Sequence, residues 1–181
     1  MELINNVATD SDISSYCLTI EPPFHGDSFG QGGAQLDRLE ITGLNPPNIV
    51  VAGDKLSAKC YFSWDVEFTK SQIIKEGYDN NLGISIAIAD KKGNYVFGCN
   101  GFDKNFHVDP LITDFACVEF LFTWPCLIAG DYYMTIAIPL GNLKNHSQLK
   151  WYDYLLELKC VKSDKNVFGI IGIDYDMKEI N

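Results

Sequence analysis

The segment LSAKCYFSWDVEF, residues 56–68, alternates apolar and polar side chains without interruption. Its apolar members are Leu56, Ala58, Cys60, Phe62, Trp64, Val66 and Phe68. Successive side chains of a β-strand point to opposite faces, so this period of two indicates one face in a core and one in water. We therefore predict a long, half-buried strand over residues 56–68.

Two neighbouring segments predict a β-hairpin. Residues 84–89 and 95–99 flank the turn DKKGN of residues 90–94, in which Gly93 supplies the positive φ that such a turn needs. Residues 117–124 also alternate, up to Pro125, which has no N–H to donate to a sheet. This second pattern predicts another strand, and both Trp64 and Trp124 are expected in the core.

Three segments nearer the C-terminus complete the predicted strands: residues 132–138, 151–161 and 166–173. The last of them is flat and apolar and is expected to pair along a sheet edge. Only residues 70–76 predict a helix, of about two turns. Short strands separated by turn residues are typical of an all-β protein, so we predict two stacked antiparallel sheets.

The first thirty residues differ from the rest of the chain. They carry turn-forming residues and no sustained period of 2 or 3.6. We predict an N-terminal arm or linker over residues 1–30 and a sandwich domain over residues 31–181. The glycine-rich segment 30–33 is expected to be a turn or hinge, because no apolar helix follows it as a phosphate cradle requires.

Charge and hydrophobicity exclude two classes of partner. The 181 residues include 14 Lys+Arg and 24 Asp+Glu, a formal net charge of −10, and Arg38 is the single arginine. A surface for nucleic acid cannot be built from so few cations, so no nucleic-acid partner is expected. No apolar run approaches the length of a membrane helix, and the N-terminus lacks a secretion signal, so we expect neither insertion nor export.

Six cysteines occur, at positions 17, 60, 99, 117, 126 and 160. Without a secretion signal, reduced thiols are the expected state, and we predict small buried hydrophobic residues rather than disulfides. No C-x-x-C pair is present and the three histidines are scattered, so neither a metal site nor a cofactor is expected.

Catalytic motifs are sparse. The chain contains neither the G-x-x-x-x-G-K-[ST] loop of nucleotide hydrolases nor the G-x-S-x-G turn of serine hydrolases. Asp65 and Glu67 would lie about 6–7 Å apart on the polar face of one strand, a separation compatible with glycoside hydrolysis. Any solvated strand can carry such a pair, so a sandwich-fold glycosidase is kept as an alternative.

Outward-facing aromatic rings beside hydrogen-bonding groups favour carbohydrate binding. A sugar ring stacks its C–H face on an aromatic ring, while its hydroxyl groups need directional partners. The candidate carbohydrate-binding residues are Tyr61, Ser63 and Asp65; Tyr133 and Thr135; and Trp151 and Asp153. We expect these side chains to form one exposed surface, without a catalytic residue among them.

An ordered series of short motifs runs along the chain: GQGGAQL at 30–36, VAGDKL at 51–56, GISIAIADKKGNYVFGCN at 83–100, LIAGDY at 127–132 and WYD at 151–153. Together they resemble the C-terminal carbohydrate-binding domain of Wzt-type ATP-binding subunits, from ABC transporters that export O-antigen polysaccharides. Each motif is weak alone, and none of them carries sugar-contacting residues of the family.

The resemblance implies an immunoglobulin-like β-sandwich and a homodimer in which C-terminal strands are exchanged. It further implies non-catalytic recognition of an O-antigen-type polysaccharide, commonly through its modified end. The implied location is cytoplasmic, at the inner face of the bacterial inner membrane. The implied partners are the ATP-binding subunit, whose ATPase half is not in this sequence, and the membrane permease. A structural or adhesive sandwich is the third alternative and would need export.

Overall fold

A computed structural model describes residues 16–104, 106, 108–162, 167 and 169–172. The regular elements are short and mostly extended. They are β1 (Cys17–Ile20), β2 (Ser28–Phe29), β3 (Ala34–Thr42), β4 (Ile49–Val50), β5 (Lys55–Trp64), α1 (Val66–Glu76), β6 (Ser85–Asp90), β7 (Tyr95–Asn100), a 3₁₀ turn (Gly101–Lys104), β8 (Phe115–Thr123), β9 (Gly130–Gly141) and β10 (His146–Cys160).

The strands form two sheets. The first sheet has the order β1-β3-β5-β8, and the second has the order β2-β10-β9-β6-β7. The short β4 runs parallel to β10, and the other pairs among the described strands are antiparallel. This arrangement confirms the predicted all-β sandwich.

The core lies between the two sheets. On β5 the apolar set from Leu56 to Trp64 is buried and the alternate residues are partly exposed, as the period of two predicts. The facing side chains of β9 include Met134 and Ile136, which are also buried. Removal of this apolar surface from water is the main stabilising contribution to the fold.

Trp124, directly after β8, packs its side chain between the two sheets. Its ring packs edge-on against Phe97 of β7, with centroids 5.3 Å apart, and against Tyr132 of β9, with centroids 5.9 Å apart. The side chain is only 1% exposed, and Trp64 is buried as well. The prediction that both tryptophans belong to the core is therefore confirmed.

The predicted strand over residues 56–68 is wrong at its C-terminal end. The strand ends at Trp64, and α1 begins at Val66. Asp65 caps the helix: its side chain accepts a hydrogen bond from the Phe68 N–H at 2.9 Å. Glu67 lies in the first turn, where a negative charge stabilises the helix. Alternation over residues 64–68 is too short a pattern to distinguish a strand from a helix start.

The helix is also longer than predicted. It covers residues 66–76 rather than 70–76 and ends at Gly77, whose φ of 71° is in the left-handed region. Within the described part of the chain, no helix has both the length and the apolar character needed to cross a membrane.

The hairpin between β6 and β7 is confirmed. Gly93 has φ 83°, and the Asp90 carboxylate accepts hydrogen bonds from the backbone N–H groups of Lys92 and Asn94, at 2.8 and 2.9 Å. The Asn94 side chain donates to the same carboxylate at 3.0 Å. These hydrogen bonds, chiefly that of the Asn94 side chain, hold the pKa of Asp90 below its ordinary value.

Two strands lie within the segment predicted to be an arm. β1 pairs with β3 in the first sheet, and β2 pairs with β10 in the second, with Phe29 opposite Trp151. Strands of two to four residues are too short to produce a recognisable period, which is why the sequence pattern missed them. The boundary between an arm and the domain near residue 30 stays a prediction. Residues 1–15 lie outside the described part.

The predicted strand over residues 166–173 lies only in part within the described residues. There, Ile171 forms an isolated bridge with Leu127, in the connection between β8 and β9. The Gly172 N–H donates to the Cys126 carbonyl at 2.7 Å, and the Ile128 N–H donates to the Ile170 carbonyl at 3.2 Å. The described part of this segment therefore pairs with the edge of the connection, without forming a longer strand.

Cys17, Cys60, Cys99, Cys117 and Cys160 are free cysteines in the structure. Cys60 and Cys160 are buried, as predicted, and burial raises the pKa of both thiols. The prediction of burial is wrong for Cys17 and Cys117, which are exposed. Cys117 lies on β8, at the outer position opposite Tyr61, and so points away from the core.

Candidate functional site

The predicted site residues divide between the two sheets. Tyr61 and Ser63 lie on the outer face of β5 and Asp65 follows that strand, whereas the other four lie on β9 and β10 of the second sheet. The inner faces of the sheets pack together, so the two groups lie on opposite sides of the sandwich. The expectation of one shared surface is therefore wrong. Alternation tells which residues point outward but not which sheet each strand joins.

On the first sheet, the polar groups of the predicted site bind one another. The Arg38 guanidinium lies 4.0 Å from the centroid of the Tyr61 ring and covers one face of it. The Tyr61 hydroxyl donates to Glu40 at 3.0 Å, and this bond raises the pKa of Tyr61. Ser63 donates to Asp37 at 2.9 Å. Much of the hydrogen-bonding capacity of this surface is thus used within the protein.

Asp65 and Glu67 do not lie on one strand face. Asp65 is the N-cap of α1, and Glu67 lies in the first turn of that helix. The strand geometry that suggested a pair of catalytic carboxylates is therefore wrong. The structure gives both acidic residues a role in starting the helix.

Replacing Asp65 with Ala is expected to lower the free energy of unfolding by about 1 kcal/mol, because one N–H of the first turn loses its partner. Urea denaturation of the purified chain measures this loss. Asp65→Asn is the matched control, since Asn caps helices about as well as Asp and should retain most of the stability. Equal losses in both variants would contradict the capping role.

On the second sheet, Trp151, Asp153 and Thr135 form one hydrogen-bonded group. The Trp151 Nε1–H donates to Asp153 Oδ1 at 2.6 Å, and the Thr135 hydroxyl donates to the same oxygen at 3.3 Å. Asp153 therefore fixes the indole plane. Thr135 is only 1% exposed. It was predicted to offer its hydroxyl to a ligand, and the structure instead places it beneath Asp153, as a support for the carboxylate.

Further rings surround this group. The Phe29 ring stacks on Trp151, with centroids 5.7 Å apart and planes inclined by 21°, and the Tyr95 ring meets Trp151 edge-on at 6.2 Å. Tyr133 and Tyr154 meet edge-on at 5.2 Å. We call these five residues, Phe29, Tyr95, Tyr133, Trp151 and Tyr154, the aromatic patch.

Much of the aromatic patch is accessible to a ligand. Phe29 is 53% exposed, Tyr95 56% and Tyr154 43%, while Trp151 and Tyr133 are half-buried. Beneath the rings, Ala137 stands opposite Trp151 in the β9–β10 register and is almost fully buried. The rings thus form an apolar surface layer over the outer face of the second sheet.

Sequence reasoning found Tyr133 and Trp151 but missed the other three rings. Phe29 reaches Trp151 through the short strand β2. Tyr95 begins β7, two strands away from β9 in the sheet order. Tyr154 has φ 51° at an irregularity of β10, where the register with β9 shifts between Tyr152 and Leu156. No local sequence pattern indicates that these three residues belong to the aromatic patch.

The patch has carboxylates beside it. Burial and then the charge of Asp153 raise the pKa of Tyr95, and burial followed by the charges of Glu157 and Asp131 raises the pKa of Tyr133. Among the described residues, no group of three or more His, Cys, Asp or Glu side chains is placed to hold a metal ion. The surface therefore offers ring faces and a carboxylate acceptor.

The fold and the patch define the protein as an antiparallel β-sandwich with an aromatic surface on its second sheet. The family described as the Wzt C-terminal domain matches residues 25–173. The chain therefore belongs to the Wzt C-terminal domain family, and the resemblance inferred from the sequence motifs is confirmed.

A solved structure of the family supports the fold. A crystal structure of the C-terminal domain of Wzt superposes with a TM-score of 0.67 at 19% identity, covering 86% of this chain and 89% of that chain. A Niemann-Pick type C2 protein from Japanese carpenter ant gives a TM-score of 0.48 at 11% identity, covering 76% of this chain and 100% of that chain. A comparison with curated proteins gives no match.

Proposed function

We propose that the protein is a non-catalytic carbohydrate-binding domain that recognises an O-antigen-type polysaccharide, through its modified end, for export by an ABC transporter. Membership of the Wzt C-terminal domain family supports a carbohydrate-binding role in O-antigen transport. The observation that carries the location of the site is the aromatic patch, whose exposed rings surround the Trp151–Asp153 pair.

Binding at the patch uses two complementary contacts. The faces of Trp151 and Phe29 receive the C–H side of a sugar ring, and Asp153 accepts hydrogen bonds from its hydroxyl groups. The bond from Trp151 to Asp153 holds the ring and the acceptor in a fixed relation before the ligand arrives, which lowers the cost of ordering them. Trp151, Asp153 and Tyr133 make direct contact in this proposal, and Thr135 positions Asp153.

The outer face of the first sheet is a poorer location for the ligand. Tyr61 and Ser63 already bind Glu40 and Asp37, and Arg38 covers the Tyr61 ring. A sugar would have to break these contacts before making its own. We therefore place the site on the second sheet.

In its transporter, the domain is proposed to act at the cytoplasmic face of the bacterial inner membrane, together with the ATP-binding subunit and the permease. Family membership supports association with an ABC transporter. A homodimer with exchanged C-terminal strands is also proposed. Within the single chain Ile171 bridges to Leu127, and exchange would replace this bridge by the same pairing with a partner chain. Two sites in a dimer would strengthen weak binding to a long glycan.

The test is a calorimetric titration with the polysaccharide made by the same gene cluster. We expect saturable, weak binding by the wild-type chain, because sugars give up good hydrogen bonds with water on binding. The same samples are then run on a gel to measure glycan chain length. Absence of binding would overturn the proposal, and shortened chains would favour the glycosidase alternative.

A thiol count separates the proposal from the adhesive alternative. We expect six reactive thiols in unfolded, unreduced protein, because cysteines of a cytoplasmic protein stay reduced. Oxidised pairs in the native protein would favour an exported sandwich.

A further inference from the structure

We propose that the aromatic patch selects its glycan by charge: the carboxylate of Asp153, held at the edge of the Trp151 ring, accepts uncharged or amino sugars and repels sugars that carry carboxylate or phosphate groups at that position. This inference rests on the proposed carbohydrate-binding function and names the chemical class of its ligand. Asp153 is the specificity-determining residue.

The geometry leaves half of the Asp153 carboxylate for the ligand. Both side-chain hydrogen bonds that Asp153 accepts within the described residues end on Oδ1, from Trp151 and from Thr135. The backbone N–H of Asp153 donates to the Asp27 carbonyl at 2.9 Å, which fixes the chain at this point. Oδ2 accepts no side-chain hydrogen bond from the described residues and is left as an acceptor on the carboxylate that binds Trp151. A hydroxyl or ammonium group of a sugar stacked there can donate to it.

Acidic side chains flank the aromatic patch, together with one lysine. On the outer face of β10, Glu157 stands opposite Tyr133, and Lys159 stands opposite Asp131. The charges that affect the patch tyrosines are those of Asp153 at Tyr95 and of Glu157 and Asp131 at Tyr133, all of which disfavour a further negative charge.

Within the described residues, no cation forms an ion pair with Asp153. The Lys150 ammonium lies 5.4 Å from the centroid of the Tyr152 ring, on the inner side of β10. Lys91 and Lys92 are exposed in the β6–β7 turn, next to Asp90. The chain as a whole carries a net charge of −10. An anionic sugar at the Trp151 ring would therefore meet the Asp153 carboxylate, which forms no ion pair among the described residues.

The experiment compares two derivatives of the native polysaccharide with equal degrees of substitution. Succinylation of hydroxyl groups adds carboxylates, and acetylation adds a shorter ester without charge; Asp153→Asn separates the effect of charge from that of bulk. At 50 mM NaCl we expect the acetylated form to bind the wild-type chain about tenfold more tightly than the succinylated form. Repulsion between two like charges a few ångströms apart in a partly exposed site lowers the affinity by roughly that factor. In Asp153→Asn the ratio should fall at least about threefold, since Asn keeps an acceptor for Trp151 but removes the charge.

Glu67→Gln is the matched control, because it removes one negative charge from α1, outside the aromatic patch. It should leave the ratio unchanged. A ratio within twofold of unity in the wild type, or an equal ratio in Asp153→Asn, would overturn the inference while leaving carbohydrate binding intact. Failure of the unmodified polysaccharide to bind would instead overturn the proposed function, and the inference with it.

Discussion

Replacing Trp151 with Ala is expected to weaken binding of the native polysaccharide at least about tenfold, which corresponds to a loss of roughly 1.4 kcal/mol. The indole is the centre of the aromatic patch: Phe29 stacks on it, Tyr95 meets its edge and Asp153 accepts its N–H. Its removal takes away the largest ring face and leaves Asp153 with Thr135 as its remaining side-chain donor among the described residues. Calorimetric titration measures the change.

Two variants make this result specific. Trp151→Phe keeps a ring face but loses the bond to Asp153, so we expect an intermediate affinity. Tyr61→Ala removes an aromatic ring from the opposite side of the sandwich and should leave the affinity unchanged, because Tyr61 is bound to Arg38 and Glu40. An equal loss in Tyr61→Ala and Trp151→Ala would contradict the placement of the site on the second sheet.

Replacing Trp124 with Ala is expected to lower the free energy of unfolding by about 3–5 kcal/mol. The indole is 1% exposed. Trp124 directly follows β8 of the first sheet, and its ring contacts Phe97 and Tyr132 of the second sheet. Truncation leaves a cavity where the two layers meet, in a core that packs at the density of an organic crystal. Chemical denaturation followed by far-UV circular dichroism measures the loss.

Leu121→Ala is the matched control for this prediction. Leu121 lies on β8 close to Trp124, but its side chain is 75% exposed. Truncation should change stability by no more than about 0.5 kcal/mol. Similar losses in the two variants would show that the core does not depend on the Trp124 contact between the sheets.

Strong local patterns predicted the scaffold well. The alternation over residues 56–64 gave β5 its buried and exposed faces, and Gly93 marked the hairpin between β6 and β7. Both signals are local, because side-chain alternation and positive φ are properties of a few consecutive residues. The end of β5 was missed for the same reason, because Asp65 is compatible with a solvated strand as well as with a helix cap. The hydrogen bond from the Phe68 N–H to its carboxylate identifies it as the cap.

The candidate site was predictable only in part. Trp151 and Asp153 share one outer strand face, so their pairing could be read from their spacing. The contributions of Phe29, Tyr95 and Tyr154 depend on strand pairing and on the irregularity of β10, which are long-range properties of the fold. Separation of Tyr61 from Tyr133 has the same origin, since alternation does not assign a strand to a sheet.

The assignment of the glycan site is tested most directly by a nuclear magnetic resonance titration that follows the indole Nε1–H signals of the three tryptophans. Trp64 donates its N–H to the Pro110 carbonyl inside the fold, Trp124 is buried between the sheets, and Trp151 donates to Asp153 at the surface. With native polysaccharide, we predict that the Trp151 signal shifts in a saturable way while the other two stay in place. Saturable binding with an unmoved Trp151 signal would contradict the assignment of the aromatic patch as the glycan site.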